Sequence, residues 1–284
     1  MIGTLGDLVE DIAVRMNGPI NVASDTPASI GRRRGGSAAN AAVAVVRAGG
    51  SARFIGQVGD DPIGDALVTA LEREGVQVAG RRGGRTGTIV VLVDHLGERS
   101  MLTDRGACGD LVHPEHAWLD GLAVLHVPAY SLFEGHLAET AAMMIEWAHA
   151  RSVTVSIDAS STSHIEAFGA SVLRALLMRL EPDVLFCNEL EAEALGGTDT
   201  LMPLAARAVV VKHGSEPAVV LASGEAAVAV PVPAFAGVRD TTGAGDAFAA
   251  GFLMAIADGA SPVEAAEAGH RTARTAILSV SATP

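Results

Sequence analysis

Near the end of the chain stands Asp240-Thr241-Thr242-Gly243-Ala244-Gly245-Asp246-Ala247-Phe248, which runs directly into the apolar segment 249–257. Where an irregular stretch enters a helix through glycine, the first backbone N–H groups have no helical partner, and the helix dipole favours negative charge. Because Gly243, Ala244 and Gly245 carry little or no side chain, these donors can close around an anion. We therefore predict an anion hole for a phosphoryl group at residues 243–245.

Asp246 follows this anion hole directly. A carboxylate in that position can accept the proton of an attacking hydroxyl while the backbone donors stabilise the charge on a transferred phosphoryl group. In the alternative interpretation, Asp246 is an ordinary acidic residue in the first turn of a helix and the glycines only shape a turn. Taken alone, the pattern does not separate the two.

A second glycine-rich segment, Gly35-Gly36-Ser37-Ala38-Ala39-Asn40, opens another helix early in the chain. A glycine pair lets a ligand approach the backbone closely, and the Asn40 amide can both donate to and accept from vicinal hydroxyls. This favours a polyol ligand, with a plain helix start as the alternative. The preceding run Arg32-Arg33-Arg34 is interpreted as a solvated loop edge, or alternatively as a helper for an anionic ligand.

The order of apolar segments predicts the fold class. Short buried runs, typical of parallel strands, alternate with segments of helical period. The runs are 53–58, 123–127, 154–157, 183–186, 209–211 and 218–221, and the helical segments include 38–48, 64–74, 137–150 and 170–180. This alternation predicts a single α/β domain over residues 1–284, a three-layer sandwich with a mainly parallel central sheet.

Two stretches, 12–34 and 86–105, break the alternation, and parts of both are expected to form a small β-lid over the site. In the second stretch, residues 88–93 lead through a turn into 100–102, as in a β-hairpin. Both faces of the strand 88–93 are largely apolar, whereas a strand with water on one side should alternate with polar residues. We expect one face to cover the substrate and the other to join a second subunit, giving a homodimer; in the alternative, the strand packs within its own subunit.

Composition narrows the class of protein further. The 20 basic and 33 acidic side chains give a net charge of −13, which disfavours nucleic acid and anionic membranes as partners. Only Cys108 and Cys187 occur, without a CxxC pair or a charged and apolar leader, so we expect a cytoplasmic enzyme. No apolar run approaches the roughly 20 residues that span a bilayer.

The two glycine motifs, in this order and about 200 residues apart with a lid between them, resemble the ribokinase-like (PfkB) family of carbohydrate and nucleoside kinases. The resemblance extends from Gly6-Asp7 to the segment around His270. It implies an α/β sandwich with a β-lid, transfer of the γ-phosphate of ATP to a hydroxyl, and a requirement for Mg²⁺.

The resemblance also implies roles for individual residues on the acceptor side. Asp11, Gly36 and Asn40 match positions that hold substrate hydroxyls, Asp246 matches the catalytic base, and residues 243–245 match the anion hole. Arg105 resembles an arginine that reaches a hydroxyl or carboxylate in members acting on other sugars or sugar acids; the alternative is a salt bridge of the lid.

On the nucleotide side, Asn188 and Glu191 look like the family's Asn-x-x-Glu element, which acts near Mg²⁺ and the phosphates; an acid-rich helix start is the alternative. Lys212 and Gly214 match positions near the phosphates, and His270 matches a position near the nucleoside of ATP. Asp240 and Thr242 match positions near a monovalent cation such as K⁺.

Departures from the family pattern narrow the substrate. Val9 replaces an asparagine that ribokinases place on the sugar, and His126-Val127-Pro128-Ala129 lacks their acidic ligand, which disfavours ribose. Ser281-Ala282 stands where Gly-Ala is usual, which disfavours monovalent-cation activation.

Three other functions are less consistent with the sequence. A nucleoside kinase is disfavoured by 4% aromatic content, with Tyr130 the sole tyrosine. A non-catalytic sugar or nucleotide sensor would not need Asp246 beside an anion hole. An NAD-dependent dehydrogenase would need a Gly-x-Gly-x-x-Gly turn, which Gly3-Thr4-Leu5-Gly6-Asp7 lacks. The leading hypothesis is a kinase of a sugar, sugar acid or related polyol.

Overall fold

The structure is a computed structural model, and it describes residues 1–96, 98–233 and 241–281. Its strands are β1 (Ile2–Leu5), β2 (Val9–Met16), β3 (Ala28–Gly35), β4 (Ala52–Val58), β5 (Gln77–Arg82), β6 (Thr88–Val93), β7 (Arg99–Asp104), β8 (Val124–Pro128), β9 (Thr154–Asp158), β10 (Val184–Asn188), β11 (Ala208–His213), β12 (Glu216–Ala222) and β13 (Val228–Val230). Its helices are α1 (Ser37–Arg47), α2 (Pro62–Arg73), α3 (Gly135–Ala150), α4 (Thr162–Phe168), α5 (Ala170–Leu180), α6 (Glu189–Ala194), α7 (Ala244–Ala257) and α8 (Pro262–Ser281).

The central sheet has nine strands in the order β13-β12-β11-β10-β9-β8-β1-β4-β5. From β5 across the sheet to β11, neighbouring strands are parallel. Strand β12 runs antiparallel to β11, and the edge strand β13 runs antiparallel to β12. Segment 218–221, which lies in β12, therefore runs antiparallel to β11, because the short turn after His213 allows a hairpin but no crossover. The predicted mainly parallel α/β sheet is confirmed.

The core lies on both faces of this sheet, because successive side chains of a strand point to opposite faces. In β10, Leu185 and Cys187 pack into a cluster with α3 and α5, whereas Val184 and Phe186 pack into a cluster with α1 and α7. All four side chains are fully buried. A strand covered on both faces must be apolar throughout, which explains the unbroken hydrophobic runs of the sequence.

A separate four-stranded sheet, with the order β3-β2-β6-β7, forms the predicted lid. Strands β6 and β7 pair antiparallel as the expected hairpin, while β2 and β6 pair parallel. Directly paired residues share a face. Asp11 and Arg99 therefore lie on one face, and Ile12, Val90 and Leu102 lie on the other.

Within the described residues, no helix is both long enough and apolar enough to cross a membrane.

Candidate active site

The glycine pair between β3 and α1 shapes the acceptor side of the site. Gly36 has φ +99°, a conformation that favours glycine, and a Cβ there would overlap the backbone carbonyl of Asp7. At Gly35, a Cβ would overlap the carboxylate of Asp11. The two glycines thus leave room for the Asp11 side chain and bring the start of α1 against the loop after β1.

Asp246 lies in the first turn of α7 and meets α1 there. The hydroxyl of Ser37 donates to its Oδ1 at 2.5 Å, a contact between residues 209 positions apart. The pKa of Asp246 is raised to about 6, mainly by burial; the charge of Asp158 also raises it, while hydrogen bonds from Ser37 and Asn40 act to lower it. At neutral pH the carboxyl group is mostly ionised and poised to accept a proton.

The anion hole predicted at residues 243–245 forms the start of α7. Gly243 is left-handed, with φ +76°, and no side chain caps the helix. A Cβ on Gly245 would lie 3.5 Å from Nζ of Lys212, so this ammonium group stands beside the hole. Backbone donors, a helix dipole and a cation therefore converge where a phosphoryl group would be stabilised.

Lys212, the only lysine of the chain, is held in an ion pair. Its Nζ lies 2.6 Å from Oδ2 of Asp158, and both side chains are largely buried. Asp158 ends β9 and Lys212 lies near the end of β11, on either side of β10. The carboxyl ends of parallel strands meet at one edge of a sheet, which is where open α/β sheets bind ligands.

Asn188 and Glu191 form a capping box at the start of α6. The Asn188 backbone N–H and Nδ2 donate to the two Glu191 oxygens at 2.8 Å each, and the Glu191 N–H donates back to Asn188 Oδ1 at 2.9 Å. Burial, and then the charge of Asp158, raise the pKa of Glu191 to about 7. The helix start is thus well capped, and it also concentrates negative charge beside Lys212.

A cleft of about 730 Å³ opens between the lid, α1, the start of α7 and α8. It is lined by Asp11 from the lid, Asn40 from α1, and Gly243 at the predicted anion hole. The structure therefore brings these three predicted residues to one opening. Asp246 is not itself a lining residue, but it lies between Gly243 and Ala247, which both are.

The match to a family model covers residues 5–284, and that model describes pfkB family carbohydrate kinases. The chain belongs to this family. An ATP-dependent ribose-1-phosphate kinase of Halopiger xanaduensis is 35% identical over 81% of the chain and 76% of its own length. A fructokinase of Klebsiella pneumoniae is 33% identical over 78% of the chain and 76% of its own length. The crystal structure of an adenosine kinase from Sinorhizobium meliloti superimposes with a TM-score of 0.84 at 26% identity, covering 98% of this chain and 93% of that one.

The pfkB assignment confirms the resemblance found in the sequence, and it makes the protein an ATP-dependent phosphotransferase acting on an alcohol group. The names of these relatives give different phosphate acceptors, so family membership by itself does not identify the acceptor of this kinase.

Two predicted site residues of the kinase have other partners in the structure. Arg105 donates to both carboxylate oxygens of Asp7, at 3.0 and 2.7 Å, which is the lid salt bridge weighed as its alternative role. His270 is buried, where its Nε2 lies 3.2 Å from the carbonyl of Val230 and burial lowers its pKa. Its ring packs edge-on against Phe248 inside the protein.

The remaining predicted positions lie at loops. Gly214 has φ +62° in the turn between β11 and β12, where a Cβ would meet no atom within 4 Å. Thr242 accepts a hydrogen bond of 2.7 Å from Arg99 of the lid, so the lid touches the loop before the anion hole. Asp240 and Ala282 lie outside the described residues.

Sequence reasoning did not include Ser37, Asp158 or Arg99 among the site residues, and it interpreted Arg34 as part of a solvated loop edge or, alternatively, as a helper for an anionic ligand. The sequence could have pointed to Asp158 as a site residue, because it is a carboxylate at the end of a buried strand. For Ser37, the only such indication is its position in the glycine motif. Arg34 donates at 2.8 Å to Oδ1 of Asn40, a contact that depends on how the lid meets α1.

Proposed function

We propose that this kinase transfers the γ-phosphate of ATP to a hydroxyl of a sugar, sugar acid or related polyol. The observation that carries the proposal is the Asp246 carboxylate, which Ser37 holds in the first turn of α7, next to a cleft that Asp11 and Asn40 line. Hydroxyl-binding groups, a base and an anion hole are the parts that phosphoryl transfer to an alcohol requires.

In this mechanism Asp11 and Asn40 bind the acceptor so that one hydroxyl faces Asp246. The ionised carboxylate takes the hydroxyl proton as the oxygen attacks the γ-phosphorus. The new O–P bond forms while the bond between the γ-phosphorus and its bridging oxygen breaks, and ADP leaves. The N–H groups of residues 243–245 and the Lys212 ammonium stabilise the charge on the phosphoryl oxygens.

Asn188 and Glu191 are proposed to act around Mg²⁺, which would neutralise the nucleotide phosphates when bound. The residues fit a hydrated ion, because Glu191 and Asp158 place two buried carboxylates beside the single ammonium of Lys212. Among the described residues, no group of three metal-binding side chains forms a cage, as expected for an ion held largely by phosphates and water.

The rest of the nucleotide is assigned to the same end of the molecule. Gly214 is proposed to lie near the phosphates, and His270, although buried, to lie beneath the nucleoside. Asp240 and Thr242 remain the proposed site of a monovalent cation such as K⁺. Since ATP is the donor, we propose that the enzyme works in the cytoplasm.

A nucleoside acceptor is the second candidate, because a solved adenosine kinase shares the fold over 98% of the chain at 26% identity. A nucleobase is usually held by stacking on aromatic rings. None of the described residues that line the cleft is aromatic. The lining therefore favours a polyol.

The lid is proposed to join two subunits. Its face opposite Asp11 and Arg99 carries apolar side chains from all four strands, and two of them are well exposed, Ile30 at 65% and Leu102 at 59%. An apolar sheet face of this kind is most simply covered by its own copy across a two-fold axis.

The proposed function is tested by ADP release from Mg-ATP with purified protein and a panel of pentoses, hexoses, aldonic acids, 2-keto-3-deoxy acids, sugar phosphates and nucleosides. We expect acceptor-dependent ADP release with at least one sugar or sugar derivative. Release with nucleosides alone would support the second candidate. Binding of an acceptor without any release would support a sensor and overturn the proposal.

A further inference from the structure

Positive charge collects at the acceptor end of an otherwise acidic protein. Residues 32–34 are three consecutive arginines at the end of β3, next to the glycine pair. Arg33 and Arg34 line the cleft, whereas Arg32 pairs with Glu10 at 3.2 Å and is not among the lining residues. Arg47 and Arg271 line the cleft as well, so four guanidinium groups border it in a chain whose net charge is −13.

The positive charge of Arg34, unlike the charges of Arg33 and Arg47, is not balanced by an ion pair with a carboxylate of the described residues. Arg33 shares the carboxylate of Asp11, at 3.5 Å, and Arg47 at the far end of the cleft is bonded twice by Glu74. Arg34 donates only to the neutral amide oxygen of Asn40, and no carboxylate of the described residues lies within ion-pair distance of it. Burial and the charge of Arg47 lower the pKa of Arg34, whereas the charges of Glu74, Asp246 and Asp11 act through space to raise it.

A half-buried guanidinium without a bonded anion is costly unless a ligand supplies one. Its planar fork matches the paired oxygens of a carboxylate or phosphate. Asn40 connects it to the reaction centre, since Asn40 accepts from Arg34 and lies within hydrogen-bonding reach of Asp246. An anion bound by Arg34 would therefore stand one side chain away from the hydroxyl that reacts.

We propose that the acceptor carries an anionic group of its own, a phosphate or a carboxylate, and that Arg34 binds it with Arg33 at the mouth of the cleft. This inference rests on the proposed function and narrows its substrate class to anionic sugars. Arg34 is assigned to the acceptor rather than to ATP because it lies on a lid strand and bonds Asn40, whereas Lys212 occupies the nucleotide side beside Gly245.

Matched acceptors test the inference. Initial rates are measured with ribose against ribose 1-phosphate, fructose against fructose 6-phosphate, and glucose against gluconate. Because a hydrogen bond to a charged group contributes enough for a roughly 10- to 100-fold effect, we expect kcat/KM to be at least about 10-fold higher for the anionic member of a pair. The first two pairs report on a phosphate and the third on a carboxylate.

Two variants show whether Arg34 is responsible. Arg34→Gln retains a donor for Asn40 but removes the charge, so KM for the anionic acceptor should rise at least about 10-fold. The KM for ATP should stay unchanged, and kcat/KM for the neutral acceptor should fall much less than kcat/KM for the anionic acceptor. Arg32→Gln, one residue away and paired with Glu10, is the matched control and should behave like the wild type.

Several results would overturn the inference. Neutral acceptors that equal or exceed their anionic partners would do so while leaving the proposed function standing. An equal loss with both members of a pair would reduce Arg34 to a residue that only positions Asn40. A rise in KM for ATP would assign Arg34 to the nucleotide. If no acceptor supports ADP release, the proposed function itself fails, and this inference with it.

Discussion

At the scale of single residues, the proposed mechanism depends on the carboxylate of Asp246, which burial makes a stronger base. Asp246 is enclosed where α1 meets α7, and burial is the main cause that raises its pKa to about 6. Ser37 holds one oxygen in place. A carboxyl group with a pKa near 6 remains ionised at neutral pH and is a stronger base than an exposed aspartate.

Replacing Asp246 with asparagine should remove the base and keep its shape. We expect Asp246→Asn to lower kcat by at least about 10²-fold with little change in the KM for ATP. Because an ionised carboxylate with a raised pKa destabilises the fold at neutral pH, thermal unfolding should show no loss of stability. Asp258→Asn, at the exposed far end of the same helix, is the control for steady-state kinetics. Near-normal turnover in Asp246→Asn would end the assignment of the base.

The same carboxylate predicts the acid limb of the pH profile. A folded pKa of about 6 means that Asp246 takes up a proton as the pH falls through that value, and a protonated base cannot accept the hydroxyl proton. We expect log kcat/KM to be level above this region and to fall with unit slope below it. A profile that stays level down to the ordinary aspartate range would show that this group does not limit the reaction.

Glu191 carries the prediction about metal. We expect activity to require added Mg²⁺ and to disappear in excess EDTA. Glu191→Gln should raise the Mg²⁺ concentration for half-maximal activity by about 10-fold or more, as for other outer partners of a bound ion. Glu193→Gln, on the exposed side of the same helix, is the matched control. Full activity in EDTA, or equal Mg²⁺ requirements in the two variants, would contradict the role.

At the scale of elements, the junction of β3 and α1 requires glycine at two positions, 35 and 36, for different physical reasons. Gly36→Ala would meet both a left-handed φ and the backbone of Asp7, so we expect a loss of at least about 2 kcal/mol in the free energy of unfolding. Gly35→Ala would meet only the side chain of Asp11, so the KM of the acceptor should rise with a smaller loss of stability.

Gly31→Ala, on the same strand, is the control for both variants. A Cβ there would meet no atom within 4 Å, so unfolding should change by less than about 0.5 kcal/mol. Denaturant titration and acceptor kinetics measure the three variants together. Equal effects at all three glycines would mean that the strand as a whole, rather than these two positions, responds to a side chain.

At the scale of the whole molecule, the outer face of the lid predicts a homodimer. Leu102→Glu places a charge in the apolar face, so we expect it to shift the mass from dimer to monomer in light scattering across a dilution series. Met178→Glu, equally exposed on α5, should leave the mass unchanged. A wild-type protein that is monomeric at micromolar concentration with intact activity would leave the lid as an internal flap.

Local sequence pattern predicts much of the alternation of strands and helices, the hairpin of the lid and the two glycine motifs, but it does not predict strands β5 and β13. These features are local, because they depend on the period of apolar side chains and on residues without a Cβ. The edge of the sheet shows the limit of this reasoning. Segment 218–221 reads as a buried strand, and only the turn before it decides that it runs antiparallel.

The tertiary structure alone decided which distant side chains meet. Ser37 reaches Asp246 because α1 packs against α7, and Lys212 pairs with Asp158 across β10 because of the order of strands in the sheet. Arg34 faces Asn40 because the lid docks at the start of α1. Such contacts depend on how whole elements pack, and no local pattern encodes the neighbours of an element. Which arginine of the run 32–34 contacts Asn40 therefore became visible only in the folded chain.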